Sequence, residues 1–249
     1  MERAYANVHK ASEVQAGLGG MRGDGEINYA LGEILLHQGL YVEAVAALGK
    51  GKETLSQLGE QMPKCWCQIF MVLALHLGGE NGRAEREADL AVQYAKEAEI
   101  PFTVGMALAV RGLVLLSSGD IERAREDLEK AEEAIKGMKP RVKMLAPGFV
   151  RGVSALVSAR EGRTEEAEER FQQSLSLLQG SMTSLLCEAM VRAWYGEELQ
   201  KVGRKGDSVE QLELALGLLA TLGNRAEEAK VSRSLRLLTA TEEQVAIAK

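Results

Sequence analysis

Any chemistry in this chain has to start from its three histidines, three cysteines and two glycine-rich runs. His9, His37 and His76 lack the spacing of a metal site and have no nucleophile beside them. His37 and His76 fall near the ends of successive predicted helices, where single histidines have structural or solvated roles. Cys65-Trp66-Cys67 misses the two-residue gap of a zinc knuckle or redox pair, and on a helix thiols two positions apart point about 200° away from each other. Gly19 to Gly25 and Gly49-Lys50-Gly51-Lys52 neither follow a strand nor end in Gly-Lys-Ser/Thr, so neither makes a phosphate loop. The expectation is a chain that is not an enzyme and needs no cofactor or metal.

Recognition chemistry is better represented. One column of the sequence reads Glu26, Trp66, Met106, Phe149, Met190, with steps of 40, 40, 43 and 41 residues. A neighbouring column reads Leu73, Leu113, Leu156. Large apolar side chains repeating along a groove suit an amphipathic helix or a peptide with periodic anchors, and they equally suit the packing of adjacent helices. Arg111, Arg151 and Arg192 sit among apolar neighbours. Each needs a partner there, either an internal carboxylate or an acidic group on a ligand.

These residues are positioned by a repeat. A glycine closing an apolar helix recurs at Gly39, Gly79, Gly119, Gly162 and Gly203. Five residues later comes a small side chain each time: Ala44, Ala84, Ala124, Ala167, Ser208. Four further on lies Leu48, Ala88, Leu128, Phe171 or Leu212, and then Gly51, Ala91, Ala131, Ser174 or Ala215. The preceding helices carry their own small column, Gly32, Val72, Gly112, Ala155 and Gly196, broken only by Val72. Small residues let two helices of a hairpin approach, and the larger residue between them is expected to fill the groove of the next hairpin.

The second helix of each unit reads as amphipathic. Ile121, Ala124, Leu128, Ala131, Ile135 and Met138 form one stripe, and the other faces carry pairs of opposite charge. The first helices are apolar nearly all round and belong to an inner layer. The expected units are residues 25–58, 64–98, 102–138, 148–178 and 183–222. They are preceded by a half unit at 2–17 and followed by a capping helix at 224–238 and a tail at 239–249, all within one array. The three extra residues of the 43-residue step fall in the loop KGMKPRVKMLAPG.

Composition agrees with helices. Hydrophobic residues make up 46% of the chain, charged residues 27% and aromatics 4%, and there are only 4 prolines. A net charge of −6 argues against direct nucleic-acid binding. The longest apolar stretch, Thr103 to Ser118, is short for a membrane span and carries Arg111, so no membrane partner is expected. Three unevenly placed cysteines fit a reducing cytoplasm.

Leu31-Gly32, Gly39, Tyr41, Ala44 and Leu48, with the copy Gly112, Leu115, Gly119, Ala124, Leu128 and Ala131, resemble tetratricopeptide repeats (TPRs). The units are longer than the usual length of about 34 residues. With junctions such as Leu222-Gly223-Asn224-Arg225 they are similar to the helical sensor arrays of STAND-type and LuxR-type regulators. The resemblance implies an all-α, right-handed superhelical solenoid of antiparallel hairpins, whose first helices line an inner face that binds a protein or peptide. The partner-binding candidates on that face are Trp66, Met106, Arg111, Phe149, Arg151, Met190 and Arg192. Two further readings remain open: a small-ligand-sensing module of a larger signalling ATPase or transcription regulator, and a structural array that self-associates through its N-terminal half unit.

Overall fold

The structure is a computed structural model describing residue 10 and residues 20–136, 145–180 and 184–247, with side chains described as far as residue 239. The half unit expected at 2–17, His9 and Met138 lie outside the described residues, apart from Lys10. Among the described residues there are eleven helices and no strand. They fall into two compact units, residues 1–139 and 140–249, with the boundary inside the sequence KGMKPRVKMLAPG.

Unit 1 contains three hairpins: α1 (Met21–His37) with α2 (Tyr41–Gln57), α3 (Gln61–Leu77) with α4 (Asn81–Ala98), and α5 (Pro101–Ser118) with α6 (Ile121–Ile135). Unit 2 contains α7 (Leu145–Arg160) with α8 (Thr164–Leu178), α9 (Leu185–Lys201) with α10 (Lys205–Leu222), and then α11 (Arg225–Ile247). Within each unit the two helices of every hairpin pack together, α11 packs on α10, and successive first helices touch side by side.

The hairpin turns explain the glycine column. Gly39, Gly79, Gly119, Gly162 and Gly203 all have φ between 76° and 84°, a left-handed conformation that costs a residue with a Cβ. The next amide reaches back to close the helix end, as Leu40 N does to Leu35 O (3.0 Å) and Asp120 N to Leu115 O (3.0 Å). Helix starts are also specified locally. Pro101 occupies the first turn of α5, Asp120 Oδ1 accepts from Arg123 N at 3.2 Å, and Asn224 Oδ1 accepts from Glu227 N at 3.0 Å.

The small and large columns meet inside each hairpin. A Cβ built on Gly32 would lie 2.4 Å from Leu48 Cγ, and one on Gly196 would lie 2.9 Å from Leu212 Cγ. The leucine therefore seats on the first helix of its own hairpin, rather than filling the groove of the next one as the sequence had implied. Where the small column holds serine, the hydroxyl uses the close approach: Ser208 Oγ donates to Gly196 O at 2.7 Å, and Ser174 Oγ to Gly148 O at 2.6 Å.

Two further elements complete the picture. α5 is long and apolar enough to cross a membrane, but most of it is buried against its neighbours and it carries an ion-paired arginine, the marks of a core helix. α11 continues to Ile247, so residues 239–247, set apart as a tail in the sequence, extend the capping helix.

Candidate partner-docking face

The first helices of unit 1 bring four aromatic rings into one strip. Tyr29 of α1 stacks on Phe70 of α3, with centroids 6.2 Å apart and planes within 5°. Phe70 meets Trp66 at 5.2 Å, and Trp66 meets Phe102 of α5 at 5.6 Å. Offset and tilted contacts of this kind stabilise aromatic pairs beyond the area they bury. Phe70 is buried and anchors the strip, while Tyr29, Trp66 and Phe102 each keep part of their surface open. Met62, 46% exposed, lies one turn before Trp66.

Charges border the strip unevenly. At the start of α1, Arg22 pairs with Glu26 (3.1 Å) and with Glu60 (3.3 Å), so those carboxylates are compensated. Lys64 lies 4.0 Å from the Tyr94 ring centre and 3.8 Å from Glu97. Further along α1, Glu33 and His37 follow Tyr29 at successive turns. Burial raises the Glu33 carboxyl above its ordinary range and lowers the His37 imidazole to about 4. Burial, with Glu33 nearby, also pushes the Tyr29 phenol up, so Tyr29 and His37 are both neutral at neutral pH.

The residues singled out from the sequence divide sharply. Trp66 sits half-buried at the centre of the strip. Met106 and Phe149 are wholly buried and Met190 is 5% exposed, so this part of the apolar column is core packing rather than an open groove. Phe149 lies 6.1 Å from Trp194 within unit 2.

Arg111 is held by its own fold. It makes a two-pronged contact with Asp127 at 2.6 and 2.7 Å and reaches Asp89 at 2.9 Å, tying α5 to α4 and α6. The hydrogen bond to Asp127 comes first among the causes that raise its pKa. Arg192, 7% exposed, spans Glu188 at 2.8 Å and Gln211 at 2.9 Å. Arg151 is half-buried in α7 and also engages a partner. Internal pairing therefore accounts for Arg111 and Arg192.

The same holds for the other chemistry-bearing residues. Cys65, Cys67 and Cys187 are buried free thiols, and burial raises them to about 11, 12 and 12. Among the described residues no group of three His, Cys, Asp or Glu side chains could hold a metal ion. In unit 2 a small crevice is lined by Phe171, Tyr195, Glu168 and Val202, but its polar groups serve one another. Tyr195 Oη donates to Glu168 at 3.0 Å, and Arg204, which reaches the same carboxylate at 2.6 Å, holds it below the usual range.

Sequence reasoning missed Tyr29, Phe70, Phe102 and Glu33. The one available signal was Glu33 itself, which stands, as Glu197 also does, in the column that carries Leu73, Leu113 and Leu156.

No protein-family model matches the chain, and no curated protein sequence matches it. Its fold is found in solved structures. A chain of the APC/C hetero-tetramer Cut9–Hcn1 superposes with TM-score 0.66 at 15% identity, covering 96% of this chain and 40% of that one. A Rap protein complexed with Competence and Sporulation Factor gives 0.63 at 12% identity over 96% of this chain and 70% of that one. The Rap conjugation regulator of plasmid pLS20, in complex with the Phr* peptide, gives 0.63 at 13% identity over 99% and 71%. The chain thus spans less than half the length of the first and about 70% of the Rap chains. In fold, the chain is an all-α, TPR-like array of antiparallel helix hairpins.

Proposed function

We propose that the chain is a non-catalytic interaction scaffold and that unit 1 docks a peptide, or an extended segment of a partner protein, on the first-helix face. The observation that carries this reading is the strip Tyr29–Phe70–Trp66–Phe102, in which the buried Phe70 ring holds Tyr29 and Trp66, and Trp66 in turn holds Phe102, so that three partly open rings are placed across three helices. Rigid aromatic surface with little side-chain entropy left to lose is the usual anchor of a protein interface. The structural neighbours support it by analogy, because two of them are Rap proteins in complexes with Competence and Sporulation Factor and with the Phr* peptide. We place this activity in the cytoplasm, where three unpaired buried thiols are at home.

The test is a random-peptide selection on the full chain, followed by affinity measurements on the enriched peptides. Trp66→Ala combined with Phe102→Ala should weaken them by roughly thirtyfold, the loss of a central aromatic anchor, while leaving far-UV circular dichroism unchanged. Enriched peptides that bind the double variant as well as the original chain would move the site elsewhere.

A further inference from the structure

We infer that the docking strip ends in a pocket for a cation, with Glu33 as acceptor, so that the partner segment presents an arginine or lysine next to its apolar anchor. This rests on the docking reading above and adds the chemistry of the ligand to it.

The inference follows from an imbalance of charge. The most deeply placed charged side chains elsewhere have partners: Arg111 has Asp127 and Asp89, Arg192 has Glu188, and Lys64 has Tyr94 and Glu97. On α1 itself, Glu26 has Arg22. Glu33 is half-buried and, among the described residues, has neither a hydrogen bond nor an ion pair. A carboxylate withdrawn from water without a counter-charge costs free energy, and that cost persists in a fold only where something else recovers it.

The surroundings fit one kind of occupant. Tyr29, one turn before Glu33 and close enough to feel its charge, presents a ring stacked on Phe70, with Trp66 beyond. Ring faces are electron-rich and attract cations, arginine above all, whose flat guanidinium can stack on a ring while its edge pairs with a carboxylate. His37, neutral on the next turn, offers no competing positive charge. The net charge of −6 favours the approach of a basic segment. A bound metal ion is a poor match, since among the described residues no three-ligand group exists.

Fluorescein-labelled, acetylated and amidated hexapeptides test this, each with one leucine or tryptophan beside arginine and each matched by a twin with neutral citrulline. Fluorescence anisotropy on the full chain gives the affinities. The arginine peptides should bind about tenfold more tightly than their twins at low salt, as a charge-assisted pair requires. Glu33→Gln should bring that ratio close to one, with circular dichroism confirming that the variant is folded. Trp66→Ala should weaken both twins together.

Equal affinity of the twins, with both weakened by Trp66→Ala, would overturn the cation pocket and leave the docking face standing. An arginine preference that survives Glu33→Gln would also overturn it by placing the acceptor elsewhere. No binding by any peptide, or binding indifferent to Trp66→Ala, would remove the docking reading and the pocket with it.

Discussion

Gly32 and Leu48 face each other sixteen positions apart, with a Cβ at position 32 falling 2.4 Å from Leu48 Cγ. The same offset joins Gly112 to Leu128 and Gly196 to Leu212. In the second hairpin the sizes are reversed: Val72 stands in the small position and Ala88 in the large one, both buried. Total volume is conserved across the exchange, the kind of change a core tolerates best. The break in the small column at Val72 is therefore a compensated swap.

Gly32→Val should accordingly destabilise the chain by about 1–3 kcal/mol through overpacking, and Leu48→Ala should do so by about 2–5 kcal/mol through a cavity. Combined, they recreate the Val72 and Ala88 arrangement, and the double variant should be more stable than the sum of the single losses implies. Urea unfolding followed by circular dichroism gives the coupling. Strict additivity would mean that the two side chains do not share one space.

The two carboxylates on Arg111 should differ in worth. Asp127 has a side chain only 5% exposed, whereas Asp89 is 62% exposed. Removing the buried partner leaves the guanidinium only the water-screened Asp89, so Asp127→Ala should cost about 3 kcal/mol. Asp89→Ala breaks a contact screened by water and should cost at most about 1 kcal/mol. Equal losses in thermal or urea unfolding would contradict the assigned geometry.

Periodicity was sufficient for the hairpins because glycine at a left-handed turn and small residues at a close approach are local requirements, readable at Gly39 or Gly112 without a structure. It was insufficient for the site. A column such as Met106, Phe149 and Met190 reveals which residues hold equivalent places in successive repeats, but not whether they are covered, and here all three are buried. The strip was hidden for a related reason. Tyr29, Phe70, Trp66 and Phe102 come from different columns and meet only through the stagger of adjacent helices. The extent of α11 was misjudged at Thr239, although neither glycine nor proline follows to stop the helix before Ile247.

The thiols should be silent in the folded chain. Cys65, Cys67 and Cys187 are buried with pKa values raised to about 11, 12 and 12, so almost no thiolate exists at pH 8. Reaction with a disulfide reagent such as DTNB should be slow in buffer and release three equivalents in denaturant. Rapid labelling of even one native thiol would show that its helix opens readily.

Glu33 should be a site where stability has been given up. Its carboxyl titrates above the ordinary range in the folded chain, so the folded state binds the proton more tightly than the unfolded state does. Stability then falls as pH rises through the interval between the unfolded and folded pKa values, and the loss is complete above that interval. Glu33→Gln removes this loss and keeps the shape. At neutral pH the variant should melt higher by about 2–4 °C, if the uncompensated charge costs about 1 kcal/mol. Below about pH 4 the two curves should converge, because the carboxyl is then protonated in both states. His37 acts in the opposite sense: its depressed pKa makes stability fall as pH drops from the ordinary histidine range towards 4. That contribution is common to both proteins and cancels in the difference. A Glu33→Gln variant that melts lower at neutral pH would show that the carboxylate is already satisfied, leaving no unmet charge for a partner's arginine to answer.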